Sequence, residues 1–206
     1  MVSYGLFSWF LNFCWFRGYS TVDHLQAVNL LVEKTREYRL PLFVAFIDFE
    51  KAFDSVEINA VWNATKQQGV PTRIVNLLRK IYVQAASYVQ IGEERVPIKI
   101  QRGVGQGDTI SPKLFKATLE EIFRELDWED FGININGRKL SNLRFADDIA
   151  LIANTEEELQ QLVTELDEVS RRSGLNMNRE KTKIHRCRSS SMMLHIPESP
   201  EFNRTT

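Results

Sequence analysis

The chain has 206 residues, of which 43% are hydrophobic and 26% are charged, ordinary values for one globular domain. Its 26 Lys and Arg residues against 27 Asp and Glu residues give a net charge of −1, which argues against a uniformly basic nucleic-acid-binding surface. Two cysteines and three scattered histidines lack the spacing typical of a disulfide framework or a zinc site.

The first segment of the chain differs in composition from the remainder. Residues 2–16 carry no charge and are dense in Phe, Trp and Leu. This stretch is shorter than the roughly 20 apolar residues of a membrane-spanning helix, and it lacks the basic start of a signal peptide. We therefore expect no membrane association and place residues 1–16 outside the domain, with a buried segment as the alternative.

A helix and a buried strand are predicted next. Ser20 and Thr21 can cap a helix whose apolar residues recur at helical spacing. The unbroken apolar run 42–47 then has the length of a strand and ends at Asp48. Runs of this kind are typical of strands that are buried on both faces.

In the middle of the chain, the spacing of apolar residues predicts two helices, a hairpin and a longer helix. Helical spacing covers about 57–68 and 72–85, and alternation predicts strands over 88–91 and 96–100. Ser111 and Pro112 form a cap and first-turn pair for a helix that should run to about Trp128.

Short strands and one amphipathic helix complete the pattern. Asn136 and Gly137 predict a hairpin, followed by strands over 140–145 and 149–153 that meet at residues 146–148. Thr155 and Glu158 form a capping box for a helix that Gly174 ends. A last strand is expected over 181–185, and a disordered tail over 189–206. Strands interleaved with helices around antiparallel hairpins indicate a layered α+β domain.

Three acidic residues are candidates for metal chemistry. Asp48 ends an apolar strand, where a carboxylate needs a partner, although a solvent-exposed strand end would explain it equally well. Asp147 and Asp148 are adjacent in a tight turn between two apolar strands, where their mutual repulsion calls for a cation, although Asp is also common in turns. Together the three carboxylates could hold two Mg²⁺ ions about 3.5–4 Å apart, provided the strand ends adjoin.

Four sequence motifs in a fixed order resemble a known family. The family is that of the reverse transcriptases. Its first metal-binding motif resembles residues 48–54, and its QG…SP motif resembles residues 103–112. Its aromatic-x-Asp-Asp box resembles residues 145–148, and its closing palm motif resembles residues 174–183. The similarity extends from about residue 17 to residue 186. The amino-acid sequence that begins at Asp48 is most similar to that of the RTE-like clade of non-LTR, or LINE-type, retrotransposons.

The resemblance implies an activity, a cofactor and partners. The chain would be an RNA-directed DNA polymerase that joins dNTPs to a DNA primer on an RNA template, with two Mg²⁺ ions, or Mn²⁺, as cofactors. Asp48 and Asp147 would be the principal metal ligands and Asp148 the third, and all three would be catalytic. In this family DNA synthesis takes place at nuclear target DNA, so a nuclear or cytoplasmic location is expected.

The resemblance also implies nucleotide-binding residues. Phe53 matches the steric gate that excludes a ribose 2′-hydroxyl, with a core aromatic as the alternative. Gln106 matches the residue beside the incoming nucleotide, and Gly107 would let the backbone approach closely. Lys181 matches a basic residue that contacts phosphate or assists proton transfer. Gly105 departs from the family, because related motifs often carry a basic residue there.

The expected architecture is a polymerase palm, an antiparallel sheet with helices packed on one face, plus partial fingers and no thumb. The domain would span residues 17–188, and the remaining fingers, the thumb and the endonuclease domain of a longer protein would be missing. Three alternatives stay open: a truncated non-catalytic relic or nucleic-acid-binding protein with the palm fold, a nucleotide cyclase, and an RNA-templated RNA polymerase.

Overall fold

The computed structural model describes residues 21–84, 87–98, 102–105, 108–135, 137–145 and 147–187, so the expectations for residues 1–16 and 189–206 lie outside the described residues. The helices are α1 (Thr21–Glu37), α2 (Ala52–Ser55), α3 (Ile58–Gln67), α4 (Thr72–Gln84), α5 (Ser111–Arg124) and α6 (Glu156–Arg172). The strands are β1 (Leu42–Ile47), β2 (Ser87–Ile91), β3 (Glu94–Ile98), β4 (Ile133–Ile135), β5 (Arg138–Leu140), β6 (Asn142–Phe145), β7 (Asp148–Ala153) and β8 (Lys183–Cys187). None of these helices has both the length and the apolar composition needed to cross a membrane.

The described residues form two compact units. The first, called here the sheet unit, comprises residues 21–48, Asp127–Glu165 and residues 177–187. The second, called here the helical unit, comprises Phe49–Leu126 and Leu166–Asn176.

The sheet unit is built on a four-stranded antiparallel sheet with the strand order β6-β7-β1-β8. β1 and β7 are the central strands, and consecutive residues of both are buried, from Leu42 to Ala45 and from Ile149 to Ala153. Burial of consecutive residues means burial on both faces, because neighbouring side chains in a strand point to opposite faces. The prediction drawn from the unbroken apolar run of β1 is confirmed.

One face of this sheet is covered by α1 and by the β4–β5 hairpin. The buried cluster consists of Leu31 of α1, Leu42 and Val44 of β1, Ile133, Ile135 and Leu140 of the hairpin, Leu143 of β6, and Ala150 and Ile152 of β7. Burial of these apolar side chains supplies the main driving force for assembling the unit.

The helical unit packs α3 against both α4 and α5. The rings of Trp62 in α3 and Tyr82 in α4 meet edge to face with centroids 5.3 Å apart. The side chain of Gln68, the residue after α3, donates a hydrogen bond of 3.0 Å to the carbonyl oxygen of Ala117 in α5. The four-residue helix α2, which the sequence pattern did not predict, contains Phe53.

The end of α5 and its cap differ from the sequence prediction. α5 ends at Arg124 instead of near Trp128, because Trp128 is buried in the sheet unit, where its indole N–H donates to Glu165 at 2.7 Å. Ile110 is the N-cap residue, whereas Ser111 lies inside the helix, buried, with its hydroxyl 3.3 Å from the Tyr82 hydroxyl.

Two strand predictions also need correction. The expected strand 140–145 is two strands, since Leu140 ends β5 and the Ser141 carbonyl oxygen accepts a hydrogen bond of 2.7 Å from the backbone N–H of Ile152. The last strand runs over 183–187 instead of 181–185. A turn that begins at Asn178 occupies the preceding residues, as the backbone N–H of Thr182 donates to the Asn178 carbonyl oxygen at 2.9 Å.

The predicted capping box of α6 forms in part. The backbone N–H of Glu158 donates to the Thr155 hydroxyl at 3.1 Å, as expected. The Glu158 carboxylate, however, accepts hydrogen bonds from the backbone N–H groups of Gly132 at 2.6 Å and Asn154 at 2.7 Å. One side chain therefore joins the start of the β4–β5 hairpin to the residue that follows β7.

Gly132 and Gly137 provide a matched test of the hairpin. Both have a positive φ, so alanine should cost about 1–2 kcal/mol at either position. A Cβ at Gly132 would also lie 2.1 Å from the Leu140 carbonyl oxygen, whereas a Cβ at Gly137 would meet nothing within 4 Å. We predict that Gly132→Ala lowers the free energy of unfolding by about 2 kcal/mol more than Gly137→Ala, as measured by chemical denaturation. Equal losses would contradict this packing.

The carboxylate of Glu158 can be tested separately. Glu158→Ala removes two charge-assisted hydrogen bonds and should lower the free energy of unfolding by about 3 kcal/mol. Thr155→Ala removes one cap bond and should cost about 1 kcal/mol. Glu157→Ala, in the same acidic first turn but exposed, controls for the helix dipole. A loss at Glu158 no larger than at Glu157 would show that the two bonds do not stabilise the fold.

Candidate active site

The pairing of β1 with β7 brings two predicted acidic residues together. Ile47 lies opposite Ile149, and Asp48 and Asp148 are the next residues along the two antiparallel strands. Continuing the register therefore sets Asp48 opposite Asp148, and opposed residues of an antiparallel pair point to the same face. Asp148 is also paired with Phe145 on its other side. The sequence-based requirement that the two strand ends adjoin is met.

Asp147 precedes Asp148 in the turn between β6 and β7, and both side chains are exposed. Partial burial, and then the negative charges of Asp147 and Asp48, raise the pKa of the Asp148 carboxyl above its ordinary value. Asp147 and Asp48 thus act electrostatically on Asp148, and the three acids place negative charge at one end of the central strands.

The two carboxylate oxygens of Asp48 lie in different surroundings. Its Oδ2 atom is buried and accepts no hydrogen bond, although the side chain as a whole retains 41% of its exposure. The ammonium nitrogen of Lys181 lies 3.6 Å from this oxygen. Lys181, which sequence similarity marked as a phosphate-binding residue, is therefore paired with the first acidic residue of the site.

The donor chemistry of the three acids fits a divalent cation. Carboxylate oxygens are the ligands that Mg²⁺ prefers, and the buried Oδ2 atom of Asp48 accepts no hydrogen bond that a cation would have to replace. Within the part of the chain that the structure describes, however, no three His, Cys, Asp or Glu side chains are grouped closely enough to hold one metal ion. Binding of one ion by all three acids would therefore require side-chain movement from this arrangement.

The predicted nucleotide-binding residues are only partly described. Phe53 belongs to the helical unit, where it is half-buried and stacks on Phe115 with ring centroids 4.7 Å apart. This contact is the packing role that the sequence left open as an alternative. Gly105 is exposed, and the predictions for Gln106 and Gly107 lie outside the described residues.

Two features near the acids were missed in the sequence. Phe46 shares a face of β1 with Asp48, retains 37% of its exposure and meets the His185 ring edge to face at 5.5 Å. The pKa of His185 is lowered, mainly by burial and to a smaller extent by the positive charge of Lys183. Asn178 was noted only as part of a motif, yet its backbone N–H donates to the Asp48 carbonyl oxygen at 2.8 Å. Strand alternation could have revealed Phe46, whereas no local signal marks the contact of Asn178.

Comparison with known families and proteins gives consistent results. Residues 16–201 match the model of the family described as reverse transcriptase (RNA-dependent DNA polymerase). The Pol polyprotein of the type-1 retrotransposable element R2 of Nasonia vitripennis is 29% identical over 156 residues, which cover 75% of this chain and 15% of that protein. The Pol polyprotein of element R2DM of Drosophila melanogaster is 28% identical over 163 residues, covering 77% of this chain and 15% of that protein. The chain therefore spans about 15% of the length of these two relatives.

Solved structures show the same fold. The apo telomerase of Candida tropicalis, truncated from its C-terminal domain, aligns with a TM-score of 0.62 at 17% identity, over 82% of this chain and 36% of that one. A second structure of that telomerase, with a TWJ fragment of telomeric RNA, aligns with a TM-score of 0.62 at 15% identity, over 84% and 30% of the two chains. At these identities the likeness concerns the fold, a palm-type polymerase fold with helices and an antiparallel sheet. Because the family model covers most of its length, the chain belongs to the reverse transcriptase family and is a domain of the non-LTR retrotransposon type.

Proposed function

We propose that this chain carries the polymerase chemistry of a retrotransposon reverse transcriptase, joining dNTPs to a DNA primer on an RNA template. The observation that supports this most directly is the β1–β7 register, which sets Asp48 opposite Asp148, next to Asp147, in a member of the family. In the proposed reaction the primer 3′-hydroxyl attacks the α-phosphate in line, a new P–O bond forms, and pyrophosphate leaves.

The proposed roles of the three acids and of Lys181 come from the family resemblance, and the chemistry of each side chain agrees with them. Asp48 and Asp147 would be the principal ligands of two divalent ions, with Asp148 as the third carboxylate. Bound Mg²⁺ or Mn²⁺ would supply acidity to the primer hydroxyl and charge neutralisation to the pyrophosphate. Lys181 would contact phosphate or donate a proton to the leaving group. The raised pKa of Asp148 and the buried Oδ2 of Asp48, which accepts no hydrogen bond, support a cation-binding role for this site.

Further proposals rest on the family resemblance. Phe53 would select deoxynucleotides, and Gln106 and Gly107 would lie beside the incoming nucleotide. The polymerase domain would span residues 17–188 within a longer protein that supplies the remaining fingers, a thumb and an endonuclease domain, and it would act in the nucleus or cytoplasm. The similarity of residues 48–56 to the RTE-like clade stays a prediction, since the relatives compared are R2 elements.

Primer extension on an RNA template with dNTPs and Mg²⁺ or Mn²⁺ tests the main proposal. Asp147→Asn should reduce extension by at least about 100-fold, the scale on which the loss of one catalytic group acts. Asp130→Asn, which removes the same charge from an exposed turn of the sheet unit, should leave extension unchanged.

Each outcome of primer extension has a clear meaning. Extension that survives Asp147→Asn would contradict the assigned site. If the folded wild-type chain gives no extension, it is not an autonomous enzyme, and the alternative of a non-catalytic relic or of a fragment that needs the rest of a longer protein would be supported instead.

The proposed gate role of Phe53 can be separated from its packing role. Phe53→Val should raise the use of ribonucleotides relative to deoxynucleotides by about tenfold or more, because a smaller side chain admits the 2′-hydroxyl. Phe115→Leu removes the same ring stacking from the other side and should leave that ratio unchanged. If Phe53→Val lowers stability without changing the ratio, Phe53 is a packing residue only.

A further inference from the structure

The Asp48 carboxylate already has a positively charged neighbour. Its Oδ2 atom is buried without a hydrogen bond, and the Lys181 ammonium lies 3.6 Å from it, just beyond hydrogen-bonding distance. The Lys181 side chain retains 69% of its exposure. A pair this exposed is held weakly, so the ammonium can leave without a large loss of stability.

The position of Lys181 is fixed through the backbone. The Asn178 backbone N–H donates to the Asp48 carbonyl oxygen at 2.8 Å, so the turn is attached to the same residue whose carboxylate Lys181 approaches. The Asn178 side-chain oxygen accepts hydrogen bonds from the backbone N–H groups of Glu180 at 3.1 Å and of Lys181 at 3.2 Å. The Thr182 N–H closes the turn on the Asn178 carbonyl oxygen. Asn178 thereby presents Lys181 to Asp48.

Electrostatics explains why a cation is needed there. Asp147 and Asp148 add negative charge to the same end of the strands, and like charges at short range destabilise one another unless a cation offsets them. The ammonium group of Lys181 supplies part of this compensation. A divalent cation that used Oδ2 of Asp48 would meet the positive charge of Lys181, and the two cations would repel.

We propose that Lys181 is an internal cation that competes with divalent metal for Asp48, and that Asn178 is the positioning residue that keeps Lys181 in place. This inference rests on the proposed metal site. Metal binding displaces the ammonium but leaves its backbone anchored beside Asp48. The released ammonium is then free to pair with the phosphate of a nucleotide that arrives with the metal, which would couple metal binding to nucleotide binding.

Direct measurement of Mn²⁺ binding to the full chain, by the electron paramagnetic resonance signal of the free ion and without nucleotide, tests the proposal. Lys181→Met keeps an unbranched side chain and removes the charge, and it should tighten Mn²⁺ binding by about tenfold, the order expected when a positive charge close to a divalent cation near a protein surface is removed. Lys183→Met, two residues further along, removes the same charge and should change the affinity less than about twofold.

Asn178→Ala gives a second readout. It should tighten Mn²⁺ binding by less than Lys181→Met, because Lys181 is retained but no longer held. The double variant should bind Mn²⁺ as Lys181→Met alone does, since the two residues act through one interaction. A gain in affinity cannot arise from misfolding, which would weaken binding.

The outcomes separate this inference from the proposed function. If wild type and Lys181→Met bind Mn²⁺ with equal affinity, Lys181 does not compete with the metal. The same holds if Lys183→Met tightens Mn²⁺ binding as much as Lys181→Met does. In both cases the proposed metal site is still supported. If neither wild type nor Lys181→Met binds Mn²⁺, the metal site itself is wrong and the competition fails with it.

Discussion

The antiparallel pairing of β1 with β7 is the constraint on which the candidate site depends. These central strands come from distant parts of the chain, and their register sets Asp48 opposite Asp148. Because side chains alternate between the faces of a strand, a slip of one residue would move one acid to the opposite face from the other. Burial of both faces of these strands opposes such a slip, since it would disturb packing on both sides. The apolar core thus fixes the geometry of a polar site.

The parts of this fold that the sequence predicts well are those with local signals. The bounds of β1 follow from an uninterrupted apolar run between Pro41 and Asp48, and its burial on both faces follows from the same run. The acidic turn of Asp147 and Asp148 is visible because two acids between apolar strands are unusual. The proposal that these acids share metal ions carried the expectation that their strand ends adjoin, and four motifs in a fixed order indicated the family.

The parts that the sequence did not predict depend on partners far away in the chain. Nothing in the sequence near Trp128 indicates that its indole N–H will donate to Glu165 in the sheet unit, or that α5 will end at Arg124. Glu158 followed its capping pattern only through its backbone, because its carboxylate accepts hydrogen bonds from the N–H groups of the neighbouring Asn154 and the distant Gly132, and only the first of these is local. The pairing of Lys181 with Asp48 is likewise a tertiary contact without local sequence signal.

The Glu158 carboxylate has a consequence for how this part of the molecule opens. It binds backbone groups that belong to two different elements, the start of the β4–β5 hairpin and the end of β7, and the Asn154 side chain adds a further bond of 2.7 Å to the Gly132 carbonyl oxygen. Neither element can separate without leaving a charged group without its partners. We therefore expect the hairpin and the end of β7 to open together, whereas the acidic turn lies at the opposite end of the strand, away from these bonds.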